Sequence, residues 1–238
     1  MAVTPYYDED GITIYHGDCR NVLSDVLADV LITDPPYGVE LGSSDRRGDG
    51  HGLAKATYRT YQDSYGMLVM SVIPPMMRFL SRVHRGALFP GKYVTLYPQP
   101  DALGGVYCPS GVGRNSWGYT CFFPVFFYGV CPTLQYGAAS TVLHSTEVAE
   151  RNGHPCPKPI GWLYWLVTLA SLLNECICDP FMGSGTTLIA AKRLGRKAIG
   201  IELDEQYCEM AVQRLSQGVL PLNLATAESL RLQGELFV

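Results

Sequence analysis

CICDPFMGSGTTLIAAKRLGRKAIGIE, residues 176–202, is the stretch of the chain that decides its fold. Residues 176–178 have the apolar alternation of a short strand, residues 183–185 form a glycine turn, and residues 186–194 have the pattern of a helix. A second strand is predicted over residues 197–201, and it ends at Glu202. A strand, a glycine turn, a helix and another strand within about thirty residues predict a βαβ nucleotide-binding unit.

The glycine turn of this unit can hold a ligand against the main chain. Glycine lets the backbone approach closely, the helix N-terminus offers free N–H groups, and Glu202, nineteen residues after Gly183, can accept hydrogen bonds from ribose hydroxyls. A phosphate-binding P-loop is the competing interpretation, but it needs a lysine before the Ser/Thr pair, and here Gly185 leads straight into Thr186 and Thr187. We therefore predict a nucleotide-like cofactor that is not a nucleoside triphosphate.

A second motif, Asp34-Pro35-Pro36-Tyr37, follows a predicted buried strand over residues 30–33. The two prolines fix the backbone so that the Asp34 carboxylate and the Pro35 carbonyl can accept hydrogens from one exocyclic NH2 group. Tyr37 can stack on the ring that carries this amine. Acceptors on the amine hydrogens stabilise the positive charge that the nitrogen gains during attack. The motif therefore predicts an acceptor site for a ring amine.

The composition predicts one α/β domain over residues 1–238. A chain of 238 residues with 47% hydrophobic residues is long enough for one well-buried core. We expect substrate-facing insertions near residues 38–63, 98–118 and 131–153. We find no apolar run of about 18 residues, which predicts no membrane partner and a cytoplasmic protein. The eight cysteines lack paired C-x2-C spacing, so no metal site is predicted.

Further elements are predicted between these motifs. Residues 67–83 have a helical pattern interrupted near Pro74 and Pro75, residues 93–97 have that of a strand, and the Gly/Pro content of residues 98–117 predicts a loop. One or two strands are expected over residues 119–130. A helix is expected over residues 160–173.

The net charge of −4 hides a positive middle segment. Residues 38–118 hold nine Lys/Arg against five Asp/Glu, a balance of +4, and the remainder holds nine against seventeen, a balance of −8. Four basic residues lie in a Gly/Ser/Asp-rich stretch with no helical periodicity, and we expect them to contact the phosphates of a nucleic acid: Arg46, Arg47, Lys55 and Arg59.

The two motifs together resemble those of the S-adenosylmethionine-dependent amino-methyltransferases of DNA, which modify N6 of adenine or N4 of cytosine. The order, with the Asp-Pro-Pro-Tyr motif before the glycine loop, resembles their circularly permuted beta class. Two more stretches fit, since residues 154–159 (HPCPKP) resemble the H-P-x-x-K-P element and residues 16–19 (HGDC) resemble the G-D element. The resemblance implies a Rossmann-like α/β fold, with a mostly parallel sheet and helices on both faces.

The resemblance also implies roles for individual residues. Asp34, Pro35, Pro36 and Tyr37 would be catalytic. Asp18 is open to a second interpretation as the N-cap of a helix that follows it. The residues implied to bind S-adenosylmethionine are Asp18, Cys19, His154, Lys158, Pro159, Asp179, Phe181, Gly183, Gly185, Thr186, Thr187 and Glu202.

The implied reaction is direct methyl transfer to an amine of DNA, which leaves S-adenosylhomocysteine. Asp34 favours adenine N6, because cytosine-N4 members of the family more often have Ser at that position; N4 of cytosine is the alternative. Methylation of RNA, methylation of a protein glutamine, and an inactive DNA-binding or clamp-tethered module are the rival interpretations. A duplex substrate would require the target base to be flipped out of the stack.

Two expectations concern protein partners. The C-terminal residues Gln233, Leu236 and Phe237 resemble the Q-x-x-L-F peptide by which bacterial proteins dock on the replication sliding clamp; a tail that folds back on the domain is the alternative. Association of two copies as a homodimer also stays open. The family implies a bacterial or phage-infected cell and a setting such as restriction-modification.

Overall fold

The computed structural model describes residues 4–38, 64–111, 113–134, 137, 139–150 and 157–217. Its strands are β1 Tyr7–Glu9, β2 Ile12–His16, β3 Val30–Thr33, β4 Arg85–Leu88, β5 Ala102–Tyr107, β6 Gly113–Asn115, β7 Gly118–Thr120, β8 Phe122–Tyr128, β9 Val142–His144, β10 Cys176–Asp179 and β11 Lys197–Glu202. Its α-helices are α1 Cys19–Val22, α2 Tyr65–Met67, α3 Ile73–Leu80, α4 Ile160–Ala170, α5 Thr186–Arg193 and α6 Glu205–Ser216. A π-helical segment covers Leu68–Val72 and a 3-10 helix covers Val94–Leu96.

Nine of these strands form one sheet in the order β1-β2-β11-β10-β3-β4-β8-β5-β9. The five central strands from β2 to β4 run parallel, β8 is antiparallel to both of its neighbours, and β9 is parallel to β5. It follows that β2, β11, β10, β3, β4, β5 and β9 all end at the same edge. Ligands of open α/β sheets bind beyond the carboxyl ends of parallel strands, so this edge is where a site is expected.

The core has two layers because the central strands bury both faces. In β3, Val30 and Ile32 pack with α4 and α5 on one face, whereas Leu31 packs with α1, the π-helical segment and α3 on the other. All four residues of β3 are buried. A run of buried apolar residues is typical of a parallel strand covered on both sides. The predicted βαβ unit, the strand over residues 30–33 and helices on both faces of a mostly parallel sheet are confirmed.

Two predicted elements are wrong. The predicted strand over residues 93–97 is a 3-10 helix at Val94–Leu96. The strand of this region is Arg85–Leu88, which has no β-branched residues and therefore gave no strand signal in the sequence. Residues 98–117 are not one loop, because β5 lies within them. The glycines of β5 that suggested a loop are packing residues: a Cβ on Gly104 would lie 1.9 Å from the Thr141 carbonyl oxygen.

The proline pair at residues 74–75 does not interrupt the helical segment. It occupies the first turn of α3, directly after the π-helical segment, where a missing backbone N–H costs little. The expected strands in residues 119–130 are found as β7 and β8, and α4 confirms the helix expected over residues 160–173. Within the described ranges no helix is long and apolar enough to cross a membrane.

Candidate functional site

A cleft opens at the carboxyl edge of the sheet and brings the separate sequence motifs together. Its walls are formed by the glycine loop, the Asp-Pro-Pro-Tyr motif, the G-D element and Lys158, which precedes α4. Of the residues predicted from the sequence, those that line it are Asp18, Cys19, Asp34, Pro35, Pro36, Tyr37, Lys158, Asp179, Phe181, Gly183, Thr186, Thr187 and Glu202. Gly185 and Pro159 lie next to lining residues and do not line it themselves.

The glycine loop forms one end of the cleft. Gly183 and Gly185 have φ of 51° and 79°, in the left-handed region that favours glycine. A Cβ on Gly185 would lie 2.7 Å from the Cβ of Ala211, so the missing side chain lets α5 begin close against α6. The N-terminus of α5 has no side-chain cap, and Thr186 and Thr187 of its first turn face the cleft. The loop therefore lines the cleft at the start of α5, where no side chain caps the helix.

Glu202 at the end of β11 fixes this loop. Its carboxylate accepts hydrogen bonds from the backbone N–H of Gly183 at 3.0 Å and of Asp204 at 2.9 Å. Burial raises the pKa of Glu202 to about 7, although both N–H donors act in the opposite direction. A carboxyl group with this pKa can accept or donate hydrogen bonds near neutral pH. It is placed to hold two neighbouring hydroxyls.

Asp179 lies on the floor of the cleft and joins its two ends. Its buried carboxylate accepts from the Thr33 hydroxyl at 2.8 Å and from the Phe181 N–H at 3.1 Å. Burial raises the pKa of Asp179 to about 6, while hydrogen bonds from Thr187 and Thr33 lower it in part. Because Thr33 directly precedes Asp34, this carboxylate connects the glycine loop with the Asp-Pro-Pro-Tyr motif.

The opposite end of the cleft holds Asp34 and Tyr37. The Tyr37 hydroxyl donates to Asp34 Oδ1, and the Lys158 ammonium forms an ion pair with Asp34 Oδ2. Lys158 Nζ also lies 3.1 Å from the Tyr37 hydroxyl and 5.5 Å from the centre of the Phe89 ring. Burial, followed by the charge of Asp34, raises the pKa of Tyr37 well above its ordinary value, so the phenol keeps its proton. This end of the cleft therefore brings a carboxylate, a phenol and a paired ammonium into mutual contact.

Sequence reasoning missed several residues of this end. Gly91, with φ of 61°, makes room for the Tyr37 ring, because a Cβ there would lie 2.6 Å from Tyr37 Cδ1. Phe89 after β4 lines the wall, and the π-helical segment contributes Ser71 and Val72. Nothing local in the sequence marks these residues. A π-helical turn often occurs at functional sites, but it leaves no clear sequence signal.

Arg214 of α6 holds the glycine loop from behind. Its guanidinium donates to the Ser184 carbonyl at 2.6 Å and lies 3.2 Å from the hydroxyls of Ser184 and Thr186. The side chain is mostly buried, and Glu150 pairs with it at 3.5 Å. In the sequence, the contact of Arg214 with Ser184 is signalled only by the position of an arginine in the helix that follows the βαβ unit.

Asp18 performs the capping role considered in the sequence analysis. Its carboxylate accepts from the Arg20 backbone N–H at 2.9 Å as the N-cap of α1, and it forms an ion pair with the Arg20 side chain. The Arg20 side chain lowers the pKa of Asp18, so the group is ionised where it lines the cleft. Burial raises the pKa of Cys19 to about 12, which keeps this thiol neutral.

Some predicted residues lie outside the part of the chain that the structure describes: Arg46, Arg47, Lys55, Arg59, His154, Gln233, Leu236 and Phe237. Among the described residues, no group of three or more His, Cys, Asp or Glu side chains could hold a metal ion.

Residues 111–213 match the model of a protein family described as DNA methylase. The type II methyltransferase M2.LlaDCHI of Lactococcus lactis subsp. cremoris is 46% identical to the chain over 65 residues, which are 27% of this chain. Those residues are 24% of that relative, so the chain matches about a quarter of its length. The matched family segment contains the glycine loop, Lys158 and Glu202.

Two solved structures resemble the whole described architecture. The crystal structure of an M1.HpyAVI-SAM complex has a TM-score of 0.63 at 20% identity, and the match covers 86% of this chain and 99% of that one. The PvuII DNA methyltransferase, described as cytosine-N4-specific, has a TM-score of 0.62 at 14% identity, with 97% and 95% covered. At these identities the likeness is one of fold. The chain has the Rossmann-like fold that these two proteins share.

Proposed function

We propose that this chain belongs to the DNA methylase family whose model it matches over residues 111–213, and that it transfers a methyl group from S-adenosylmethionine to the exocyclic N6 amine of adenine in DNA. One observation carries the proposal: a nucleotide-type glycine loop with Glu202 and an amine-acceptor motif with Asp34 and Tyr37 face each other across one cleft. A methyl donor at one end and an amine at the other would meet in the middle. Positioning of this kind supplies much of the rate enhancement of a two-substrate reaction.

The residues of the cleft fit the cofactor. Its ribose hydroxyls suit the Glu202 carboxylate, its adenine amine suits Asp18, and its amino acid part suits the glycine loop and Asp179. When bound, S-adenosylmethionine supplies a methyl group on a sulfonium sulfur, which keeps the bonding electron pair when the methyl leaves and becomes S-adenosylhomocysteine. The negative and polar lining at these three positions is complementary to a cationic ligand rich in hydrogen-bond donors.

The Asp34 motif fits the acceptor. The lone pair of an adenine amine is delocalised into the ring, and hydrogen bonds from the amine to the Asp34 carboxylate and the Pro35 carbonyl favour a more tetrahedral nitrogen. As the nitrogen bonds to the methyl carbon it becomes positive, and the Asp34 charge stabilises this state. One amine proton then leaves to water. Tyr37 would hold the flat ring by stacking, which gives the nitrogen a single direction of approach.

The target base must leave its stack to enter this cleft. The hairpin of β6 and β7 joins the end of β5 to the start of β8, so it lies at the same sheet edge as Asp34. It carries Trp117, 98% exposed, and Tyr119, 72% exposed. Exposed aromatic rings are platforms on which unstacked bases bind without strong sequence preference. We therefore place the DNA strand across this edge.

Phosphate contacts are proposed for Arg46, Arg47, Lys55 and Arg59. Each neutralised phosphate releases counterions, so replacing the four residues together is expected to weaken DNA binding and to flatten its dependence on salt concentration. An unchanged salt dependence would contradict these contacts. Binding titrations at several salt concentrations measure it directly.

The acceptor atom is the finer part of the proposal. Asp at position 34 supports N6 of adenine, and N4 of cytosine is the second candidate because the PvuII enzyme, which shares the fold, is described as specific for it. Both reactions use the same acceptor chemistry. We further propose that the chain is a single catalytic domain that acts in the cytoplasm of a bacterial or phage-infected cell, in a setting such as restriction-modification.

The experiment that tests the function is transfer of labelled methyl from S-adenosylmethionine to unmethylated genomic DNA, followed by nucleoside mass analysis. N6-methyladenine that disappears with Asp34→Ala is the expected result. N4-methylcytosine would keep the mechanism and change the acceptor. No methylated base, despite measurable cofactor binding, would overturn the proposal in favour of an RNA substrate or an inactive binding module.

Protein partners are proposed on the sequence alone. Docking on the sliding clamp through Gln233, Leu236 and Phe237 is tested by clamp pull-down with the full chain and with a chain that lacks its last six residues. Equal capture would end the idea. Light scattering of the purified chain tests the homodimer.

A further inference from the structure

Lys158 lies at the acceptor end of the cleft. It stands two residues before the start of α4 at Ile160, and its ammonium reaches Asp34, which is 124 positions earlier in the chain. The side chain is only 8% exposed, against 26% for Asp34. A buried ammonium is costly unless it is paired and hydrogen-bonded. Here the carboxylate, the Tyr37 hydroxyl and the faces of two aromatic rings surround it.

The two carboxylate oxygens of Asp34 have different partners. Tyr37 donates to Oδ1 and Lys158 donates to Oδ2. Because each oxygen has its own donor, the carboxylate plane cannot rotate without losing one of them. Tyr37 and Lys158 also contact each other at 3.1 Å, so the three groups form a closed triangle. The orientation of Asp34 is therefore set by a residue from a distant segment as well as by its own motif.

We propose that Lys158 is a positioning residue for methyl transfer. Its ammonium orients the Asp34 carboxylate, so that Asp34 acts as a fixed acceptor of amine hydrogen bonds. This inference rests on the proposed function. It gives Lys158 a role at the amine, whereas the family resemblance implies a role at the cofactor.

A nearby cation makes a carboxylate a weaker base and a more persistent anion. During transfer, charge develops on the amine nitrogen, and an acceptor that stays anionic stabilises it throughout. Without the ammonium, Asp34 would face the Asp179 carboxylate, the Tyr37 hydroxyl and the Tyr97 phenol with no positive partner among them. Asp34 would then also lose the donor that fixes its Oδ2 atom, and its plane could turn away from the amine.

The test compares Lys158→Met, Lys158→Arg and a matched control, Lys192→Met. Lys192 is also an ion-paired lysine, bonded to Asp10 at 3.0 Å, but Asp10 precedes β2 and lies at the opposite edge of the sheet. Each variant is measured for kcat, for KM of DNA and for S-adenosylmethionine affinity by calorimetry. Cofactor binding also reports that the variant is folded.

Lys158→Met is expected to lower kcat by about 100-fold, because the acceptor loses its orientation. KM for DNA should change much less than kcat, which a general loss of folding would not produce. Cofactor affinity should stay unchanged. Lys158→Arg keeps a charged donor at this position, so it should recover part of the lost kcat although its head group is larger.

Three results would overturn the proposal while the wild-type enzyme remains active. One is an unchanged kcat in Lys158→Met. Another is a Lys158→Arg variant that binds the cofactor normally but recovers none of the kcat that is lost in Lys158→Met. The third is a loss of cofactor affinity that accounts for the loss of activity, which would make Lys158 a cofactor ligand. Failure of the proposed function differs from all three, because wild-type protein would then form no methylated base.

Discussion

The two ends of the cleft are built in different ways. The cofactor end, which we define as Asp179, residues 183–187 and Glu202, comes from one continuous βαβ unit of the chain. The acceptor end, defined as residues 34–37 with Phe89, Gly91 and Lys158, is assembled from three segments. Its central ion pair joins residues 124 positions apart. One end is thus fixed by local structure, and the other only by the completed sheet.

This difference predicts how substitutions at each end affect methyl transfer and cofactor affinity. At the cofactor end, the hydrogen bond from Gly183 to Glu202 joins two residues of the same βαβ unit, although Asp179 also accepts one from Thr33 of β3. At the acceptor end, a displacement of the segment after β4 or of the segment before α4 also moves the groups that orient Asp34. Changes at the acceptor end should therefore reduce transfer without changing cofactor affinity, and changes at the cofactor end should change affinity first. Substitution of glycines with positive φ tests this with the same chemical change at both ends.

The largest effect is expected for Gly91→Ala. The new Cβ would meet the Tyr37 ring at 2.6 Å, in a backbone conformation that L residues rarely adopt. Tyr37 must then move, and with it the donor that orients Asp34. We expect kcat to fall by about 100-fold with little change in cofactor affinity, measured by single-turnover methyl transfer and by calorimetry.

Gly195→Ala is the control for that substitution. Gly195 has a similar φ of 72°, but its Cβ would have only an ordinary contact, at 3.6 Å, with Leu173. This variant should lose some stability and keep its transfer rate. Equal losses of rate in both variants would show that strain alone, and not displacement of Tyr37, accounts for the effect.

Gly185→Ala makes the same change at the cofactor end. Its Cβ would lie 2.7 Å from that of Ala211, so α5 and α6 must separate. We expect S-adenosylmethionine affinity to fall by about tenfold, together with a loss of about 2 kcal/mol in the free energy of unfolding from strain and displacement. Calorimetry and urea unfolding measure the two quantities. Intact affinity with a reduced rate would reverse the assignment of the two ends.

The same difference explains what the sequence could predict. Residues 176–202 are recognisable because a strand, a turn, a helix and a second strand follow one another directly in the sequence, and every predicted element there is confirmed. The pairing of Lys158 with Asp34 depends on the position of the start of α4 relative to β3. No local sequence pattern predicts that position. Arg85–Leu88 was missed as a strand for a similar reason. Gly86 occupies it because a Cβ there would lie 2.4 Å from Leu80 of the preceding helix, a contact between elements.

A pH experiment examines the cofactor end alone. The pKa of Glu202 is raised from 4.5 to about 7 in the folded protein, so the folded state binds this proton more tightly than the unfolded chain. The stability that this proton contributes is complete below pH 4.5 and is lost as the pH rises through about 7. Asp179, whose pKa is raised from 3.8 to about 6, acts in the same direction over a lower range.

Glu202→Gln should therefore flatten the fall in the free energy of unfolding of the cofactor-free protein between about pH 5 and pH 8. The decrease should be smaller in the variant by about 1–2 kcal/mol over this range, and the part that remains near pH 6 belongs to Asp179. Chemical unfolding at several pH values measures it. Glu205→Gln, an exposed change three residues further on, is the control and should follow the wild-type curve. Parallel curves for Glu202→Gln and wild type would contradict the role of burial.

The smallest effect is expected for Arg214→Met, which leaves the glycine loop in place but removes the donor behind it. The guanidinium donates at 2.6 Å to the Ser184 carbonyl, and this contact fixes the side of the loop that faces away from the ligand. A charged donor to a main-chain carbonyl contributes about 1.5–3 kcal/mol in a buried setting, but the loop keeps its bond from Gly183 to Glu202. The loss of cofactor binding energy should therefore be smaller than the contribution of the removed hydrogen bond.

We expect Arg214→Met to weaken cofactor affinity by about fivefold and to leave kcat at saturating cofactor unchanged. Arg193→Met is the matched control, because Arg193 donates to the Tyr164 hydroxyl at 2.8 Å on the exposed side of α5. A fall in kcat at saturating cofactor would mean that the glycine loop also orients the acceptor end. The bond between Thr33 and Asp179 is the contact that would transmit such an effect, and Thr33→Val combined with Arg214→Met would then show a non-additive loss.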